Sequence, residues 1–360
     1  MSHLAAVQGV VPEHTYAQAE ITAAFAGVLG ATGSDRVVLE RLHANAGVSQ
    51  RHLALPLERY WQLADFGEAN DEFIRVATQL GAHAVSKALA AAGVGPADVD
   101  LIVSTTITGL AVPSIEARIA GEIGLRDDVK RVPLVGLGCV AGAAGVARVH
   151  DYLLGHPDDV AVLLSVELCS LTVQRDDASM ANLVASGLFG DGAAAVVMVG
   201  ARRAADRGPG LAADQPRVVA TRSRLYADTE RAMGWDVGAT GLRIVLGVEV
   251  PDLVRTNVRG DVDRFLGDHG LTRADIGWWV AHPGGPKVLE AMEEALEVDR
   301  DALVVTWRSL DRIGNLSSAS VLHVLADTMR DRTPAAGSWG LLLAMGPGFC
   351  LELVLLRMAD

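Results

Sequence analysis

Three residues of this 360-residue chain have the type and the setting for acyl-transfer chemistry: Cys139, His282 and Asn315. Cys139 lies in Gly136-Leu-Gly-Cys139-Val-Ala-Gly-Ala-Ala-Gly145, and the apolar run 131–148 around it reads as a strand, a glycine turn and a buried helix. A cysteine at that junction meets the positive end of the helix macrodipole, which favours the thiolate. An ordinary thiol of pKa about 8.5 is barely ionised at neutral pH, whereas a fall to about 6 would make it a nucleophile. His282 closes the apolar stretch Ile276-Gly-Trp-Trp-Val-Ala281 and precedes Pro-Gly-Gly, so its imidazole hangs where a strand gives way to a loop. Asn315 follows Gly314 and precedes a Ser/Ala-rich helical stretch. It can cap that helix, and its amide can also donate to an oxyanion. A thiolate, an imidazolium and an amide donor together suit acyl-thioester chemistry.

A papain-like hydrolase also uses Cys, His and Asn in this chain order. Its Cys-Gly-Ser-Cys-Trp signature is absent, and the surroundings of Cys139 are apolar. The segments Gly136-Leu-Gly-Cys139, Leu188-Phe-Gly-Asp-Gly-Ala-Ala-Ala195, His282-Pro-Gly-Gly-Pro286, Gly314-Asn-Leu-Ser-Ser318 and Gly346-Pro347-Gly348-Phe349 together resemble the type III polyketide synthases, the chalcone synthase superfamily. They run from about residue 100 to the end of the chain in the family's order. The resemblance is strongest to the actinobacterial alkylpyrone synthases and extends to Arg41-Leu-His-Ala-Asn-Ala46 and Asp65-Phe-Gly-Glu-Ala-Asn70.

The resemblance implies a thiolase fold, an α/β architecture of five layers (αβαβα) built from two duplicated halves, 1–205 with the nucleophile and 206–360 with the histidine and asparagine. It implies an acyltransferase cycle without metal or redox cofactor. Cys139 takes an acyl group from an acyl-CoA, malonyl-CoA is decarboxylated, His282 and Asn315 stabilise the enolate, and the enolate attacks the Cys139 thioester. Phe189 matches an aromatic gatekeeper between the CoA tunnel and the cavity, and the second gatekeeper position is Ile244, a departure from the plant pattern that suits an aliphatic chain. Thr108, Val112 and Cys169 are the matching positions for a tunnel holding a fatty starter, and Thr172 and Ser317 for steering cyclisation. Arg41 matches a CoA phosphate contact, and Lys287 adjoins the catalytic turn. The implied product is an alkyl-α-pyrone made from a fatty acyl-CoA and malonyl-CoA. Alternatives are a resorcinol, a malonyl-only tetrahydroxynaphthalene, or a methylmalonyl-CoA extender. A ketoacyl synthase III would share the fold, but it shows Asn near the histidine and lacks Gly-Pro-Gly-Phe; a non-catalytic thiolase-fold subunit would not need the intact Cys, His and Asn. A homodimer with Val112 near the partner's cavity is also implied.

The elements that must position these residues repeat along the chain. Residues 93–105 match 270–282 in pattern: a turn, Asp98 or Asp275, then a buried strand, each after a helical stretch (73–92 and 253–266). Residues 189–199 and 345–355 are likewise both glycine turns feeding an apolar strand. Alternating helices and buried strands predict mixed sheets covered on both faces. The low-complexity stretch 201–217 reads as a surface connection.

Half of the residues are apolar, enough for a large core. The net charge of −13 argues against nucleic acid or an anionic membrane surface as principal partner. Cys139, Cys169 and Cys350 show neither metal-ligand spacing nor a disulfide framework, which fits a reducing cytosol. The start of the chain carries no signal-peptide pattern, and the apolar stretch 340–356 is broken by Gly-Pro-Gly and carries Glu352, so it reads as two strands and not as a membrane span.

Overall fold

The two segments matched in sequence, 93–105 and 270–282, become the same piece of structure twice. A computed structural model describes residues 1–206 and 215–360. Its strands are β1 (Ser2–Val10), β2 (His14–Ala17), β3 (Gln50–Leu53), β4 (Leu101–Thr106), β5 (Lys130–Val135), β6 (Val160–Leu168) and β7 (Asp191–Gly200), then β8 (Arg217–Leu225), β9 (Met233–Gly238), β10 (Gly241–Leu246), β11 (Ile276–Ala281), β12 (Trp339–Gly346) and β13 (Cys350–Arg357). Nine of them form one sheet in the order β11-β12-β13-β8-β1-β7-β6-β4-β5, while β9 with β10 and β2 with β3 stand as separate hairpins. Reading outward from the β1/β8 junction, β1-β7-β6-β4 repeats as β8-β13-β12-β11. The directions repeat as well: β4 is parallel to β6 and β11 to β12, whereas β7 and β13 run antiparallel to their neighbours. The expected mixed sheets are therefore present, joined into one ladder by the pairs Ser2↔Val218 and His3↔Arg217.

Five layers follow from how the strands alternate. On β6, Val160, Val162, Leu164 and Val166 face the long helix Phe66–Ala92, and Ala161 and Leu163 face the centre. On β12 and β13, Leu341, Leu343, Leu351 and Leu353 face the helices Val250–Gly267 and Pro286–Leu296, while Leu342, Ala344 and Val354 face the centre. The central layer is the helix Ala141–Gly155 beside the helix Ser320–Asp331. Its glycines have a packing reason. A Cβ on Gly142 would lie 2.3 Å from the Ser318 carbonyl oxygen, and one on Gly145 would lie 2.5 Å from a Leu163 methyl. The Gly/Ala-rich sequence lets the helix pass between the halves at backbone contact.

The helix expected over 73–92 starts earlier, at Phe66, because Asp65 caps it: the Asp65 carboxylate accepts from Glu68 N at 3.0 Å, and Glu68 reaches back to Ala64 N at 2.9 Å. The expected surface connection 201–217 begins as a helix, Ala201–Asp206, and ends where β8 starts; residues 207–214 lie outside the described residues. The strand before the nucleophile, β5, is an open sheet edge with Val132 42% and Val135 58% exposed.

Candidate active site

Cys139 sits in a short 3-10 turn, Gly138–Val140, that runs directly into the central helix Ala141–Gly155. The β12–β13 turn closes over it. Gly138 has φ +58°, and a Cβ there would meet Pro347 at 2.7 Å, while a Cβ on Gly346 would meet Val140 N at 2.7 Å and Leu137 O at 2.9 Å. The Gly346-Pro347-Gly348-Phe349 motif is thus one wall of the nucleophile pocket. His282 follows β11 and extends the ladder, its N–H donating to Leu343 O at 3.0 Å. Its Nδ1 is buried and unpartnered, which leaves Nε2 to the cavity. Asn315 comes after Gly314 (φ +73°), with Asn315 N donating to Leu188 O and Gly190 N donating to Asn315 O, both at 2.9 Å. This isolated bridge ties Phe189 to Asn315. The Asn315 Oδ1 accepts from Ser317 N at 2.8 Å, so the amide's acceptor end is spent on an Asx turn and its Nδ2 hydrogens are the group left for a ligand. Capping and oxyanion donation, the two readings of this residue, use opposite ends of one side chain.

Cys139, His282, Asn315, Phe189, Ile244, Ser317, Pro347 and Phe349 all line one small cavity of about 40 Å³. The Cys139 thiol donates to Ser317 Oγ at 3.6 Å, and Ser317 adopts φ +48°, an uncommon conformation for a residue with a side chain. Burial pushes the Cys139 thiol up to about 12, with Ser317 opposing and Glu167 reinforcing the rise. Burial also pushes the His282 imidazole down to about 3. Burial thus works against the charged form of both groups, in opposition to the helix start that favours the thiolate.

The tunnel positions separate. Cys169 and Thr172 line a second, larger cavity of about 350 Å³, which shares only Phe189, Trp235 and Ile244 with the catalytic one. Phe189 and Ile244 therefore stand at a partition. Thr108 lines neither of these two cavities: its hydroxyl donates to the Glu167 carboxylate at 2.9 Å and accepts from Leu168 N at 2.9 Å. Val112 precedes a cis proline and is 94% exposed, outside both of these cavities. Arg41, on the helix Gly33–Ala44, and Lys287, in the first turn of the helix Pro286–Leu296, are exposed and line neither of these cavities.

Several residues at the site were not anticipated. Trp235 lines both of these cavities and a third, of about 410 Å³, beside the 107–110 loop. The buried Glu167 accepts from Ile107 N, Thr106, Thr108 and Ser318, and burial raises its pKa. The buried Arg51 donates through Nη1 to Ser186 O at 2.6 Å and Phe189 O at 2.8 Å, fixing the backbone that carries the partition phenylalanine. Among the described residues no group of three or more His, Cys, Asp or Glu is placed to hold a metal, and no helix is long and apolar enough to cross a membrane.

Comparison with known proteins gives the site its context. Residues 217–359 match the C-terminal domain of the chalcone and stilbene synthases, and residues 33–209 match the FAE1/type III polyketide synthase-like proteins. The chain belongs to the type III polyketide synthases. It is an acyltransferase-class enzyme with the thiolase fold, in a family that works on coenzyme A thioesters without a further cofactor. Among similar proteins, a 1,3,6,8-tetrahydroxynaphthalene synthase of Streptomyces peucetius is 57% identical over 98% of this chain and 92% of its own length. The solved 1,3,6,8-tetrahydroxynaphthalene synthase of Streptomyces coelicolor superposes with a TM-score of 0.91 at 29% identity, covering 99% of both chains. An α-pyrone-synthesis polyketide synthase-like protein of Mycobacterium tuberculosis is 30% identical over 87% of this chain and 80% of its own.

Proposed function

We propose that this type III polyketide synthase starts from malonyl-CoA and extends with malonyl-CoA to a tetrahydroxynaphthalene-type product. The observation that carries this is the 57% identity, over nearly the whole chain, to a synthase of that product, against 30% to the α-pyrone protein. The placement of Thr108 supports it, since its hydroxyl is committed to Glu167 and to Leu168 N and it lines none of the three cavities described.

In this reading Cys139 is the nucleophile. Its proton passes to His282 Nε2 as sulfur attacks the thioester carbonyl; the C–S bond to coenzyme A breaks, and the proton leaves with the coenzyme A thiol. A second malonyl-CoA loses CO2, and the electron pair of the broken C–C bond becomes an enolate whose oxygen accepts from Asn315 Nδ2 and from a His282 N–H. The enolate carbon attacks the carbonyl of the Cys139 thioester, the C–S bond to Cys139 breaks and frees its thiolate, and the lengthened chain, now a coenzyme A thioester, is transferred back to Cys139 with release of coenzyme A. Phe189 and Ile244 bound the space in which the chain folds, Thr172 and Ser317 present hydroxyls to it, and Arg41 and Lys287 take the coenzyme A phosphates, an assignment resting on family resemblance.

A second reading, an alkyl-α-pyrone from a fatty acyl-CoA, draws on one observation: Cys169 lines a mainly apolar cavity of about 350 Å³ behind the Phe189/Ile244 partition. Incubation with malonyl-CoA alone, and with a series of acyl-CoAs plus malonyl-CoA, separates the two by mass spectrometry. The naphthalene product from malonyl-CoA alone is expected. Pyrones formed only when a fatty acyl-CoA is added would overturn the first reading and leave the synthase assignment standing.

We also propose two thiolase-like halves, 1–205 and 206–360, supported by the repeated strand order, and a homodimer joined near β5. The open β5 edge with its exposed valines, together with the exposed Val112, suits a second copy of the chain. Sedimentation at micromolar concentration showing only a 37.7 kDa species would contradict the dimer. Three free cysteines support a reducing cytoplasm as its location.

A further inference from the structure

The hairpin β9–β10 forms one side of the site. It pairs with no strand of the nine-stranded sheet, and a lone two-stranded hairpin is marginal in water, so tertiary contacts must hold it. Trp235 and Ile244 are direct cross-strand partners in it. These two side chains, with Phe189, divide the 40 Å³ catalytic cavity from the 350 Å³ cavity. Wherever the hairpin rests, the catalytic cavity ends there.

Gln174 fastens it. The Gln174 Nε2 donates to Thr240 O at 3.2 Å and Leu242 O at 3.2 Å, the carbonyls on either side of Gly241 at the start of β10, and faces Thr172 O at 3.1 Å. The same amide thus spans the hairpin and the segment that carries Cys169 and Thr172. Asn182 anchors Gln174 in turn, its Nδ2 donating to Gln174 O at 2.8 Å and Asp177 O at 2.7 Å. Both side chains are buried, Gln174 8% and Asn182 3% exposed, so their hydrogen bonds face little competition from water. Gly241 adds a second grip, because the ring of Phe66 comes within 2.5 Å of where a Cβ would sit.

We propose that Gln174, held by Asn182, is a positioning residue for product outcome: it sets how far the Trp235/Ile244 partition stands from Cys139, and so how long a chain grows before it cyclises or is released. This rests on the polyketide-synthase site described above and not on the choice of starter. Gln174→Met keeps the length and removes both donors, leaving two hairpin carbonyls without their partner. The share of prematurely released, shorter products should rise about tenfold relative to the full-length product, the scale of a lost buried donor. Iodoacetamide alkylation of Cys139 and malonyl-CoA decarboxylation should stay within about twofold of wild type. Asn182→Ala should shift products in the same direction, and the double variant should go no further than the stronger single one.

An unchanged product ratio in folded Gln174→Met overturns the proposal. So does an equal loss of alkylation, decarboxylation and every product, which would mark a structural role. Gln174→Glu, which keeps shape and polarity but has no donor, serves where the methionine variant does not fold, and failure of both to fold likewise argues for a structural role. The wild-type product decides the starter reading by itself, because the test here is a ratio between wild type and variant for whichever product forms.

Discussion

The two halves share a strand order and differ in what they place at equivalent points. In the first half the nucleophile stands at the start of the central helix, and the end of β4 and the loop after it give hydroxyls to a buried carboxylate, Glu167. In the second half the strand matched to β4 ends in His282, the central helix is preceded by Asn315, and the strand matched to β6 ends in a glycine turn without a carboxylate. In the proposed mechanism one half supplies the group that is acylated, and the other supplies the groups that handle protons and oxyanions. Duplication provided two equivalent frames facing one cavity; the chemistry came from making them unequal.

Removing one half's contribution should therefore give a different defect from removing the other's. Cys139→Ala has the largest expected effect: no product and no acyl adduct on the protein by intact mass. A stable acyl-enzyme on another residue of that variant would break the assignment. Asn315→Ala comes next. Malonyl-CoA decarboxylation should fall by about 10²–10³, the usual cost of one oxyanion donor, while acyl loading onto Cys139 is largely retained. Equal loss in both half-reactions would mean that its Oδ1 turn, and not its Nδ2, is what matters.

The seam between the halves can be tested through stability. Gly142→Ala drives a methyl against backbone, the Ser318 carbonyl 2.3 Å away, and should cost about 1–3 kcal/mol or more in denaturant unfolding. Gly145→Ala meets the branched end of the Leu163 side chain instead of backbone, both methyls within 2.8 Å, and should cost less because a side chain can turn away. The smallest expected effect is on acid stability. His282 and His43 are held near 3 and 4, chiefly by burial. The unfolded chain therefore binds protons that the folded chain refuses, and stability should fall as pH drops from about 6.5 towards 3. His282→Gln should flatten part of that slope in unfolding measured against pH. An unchanged slope would mean that other groups dominate.

Cys139, His282 and Asn315 were legible because each sits where an apolar run meets glycine, a pattern visible within about ten residues of chain. The duplicated frame was legible for the same reason, since its repeats are local. Thr108 was not, because its hydroxyl is committed to Glu167, 59 residues away, and spacing carries no record of that partner. Trp235 reaches the site through its register with Ile244 in a hairpin, and a shift of one residue would point it elsewhere. The packing over Cys139 also escaped local reading: the junction with a helix start is visible in sequence, but the close approach of the β12–β13 turn to Gly138 involves residues more than 200 positions later. Likewise the apolar run of β5 reads as core, and only the strand order shows it at an edge.

The glycine contacts around Cys139 have a consequence for how such an enzyme diversifies. Gly138, Gly142 and Gly346 leave no clearance for even a methyl group, so the wall behind the nucleophile is closed to variation. The facing wall, residues 233–246, is built from ordinary side chains on a hairpin outside the main sheet. A mutational library aimed at new ring systems is best confined to that wall, where changes can accumulate by drift without moving the sulfur. The fold thereby keeps its reaction fixed while its repertoire stays open to selection.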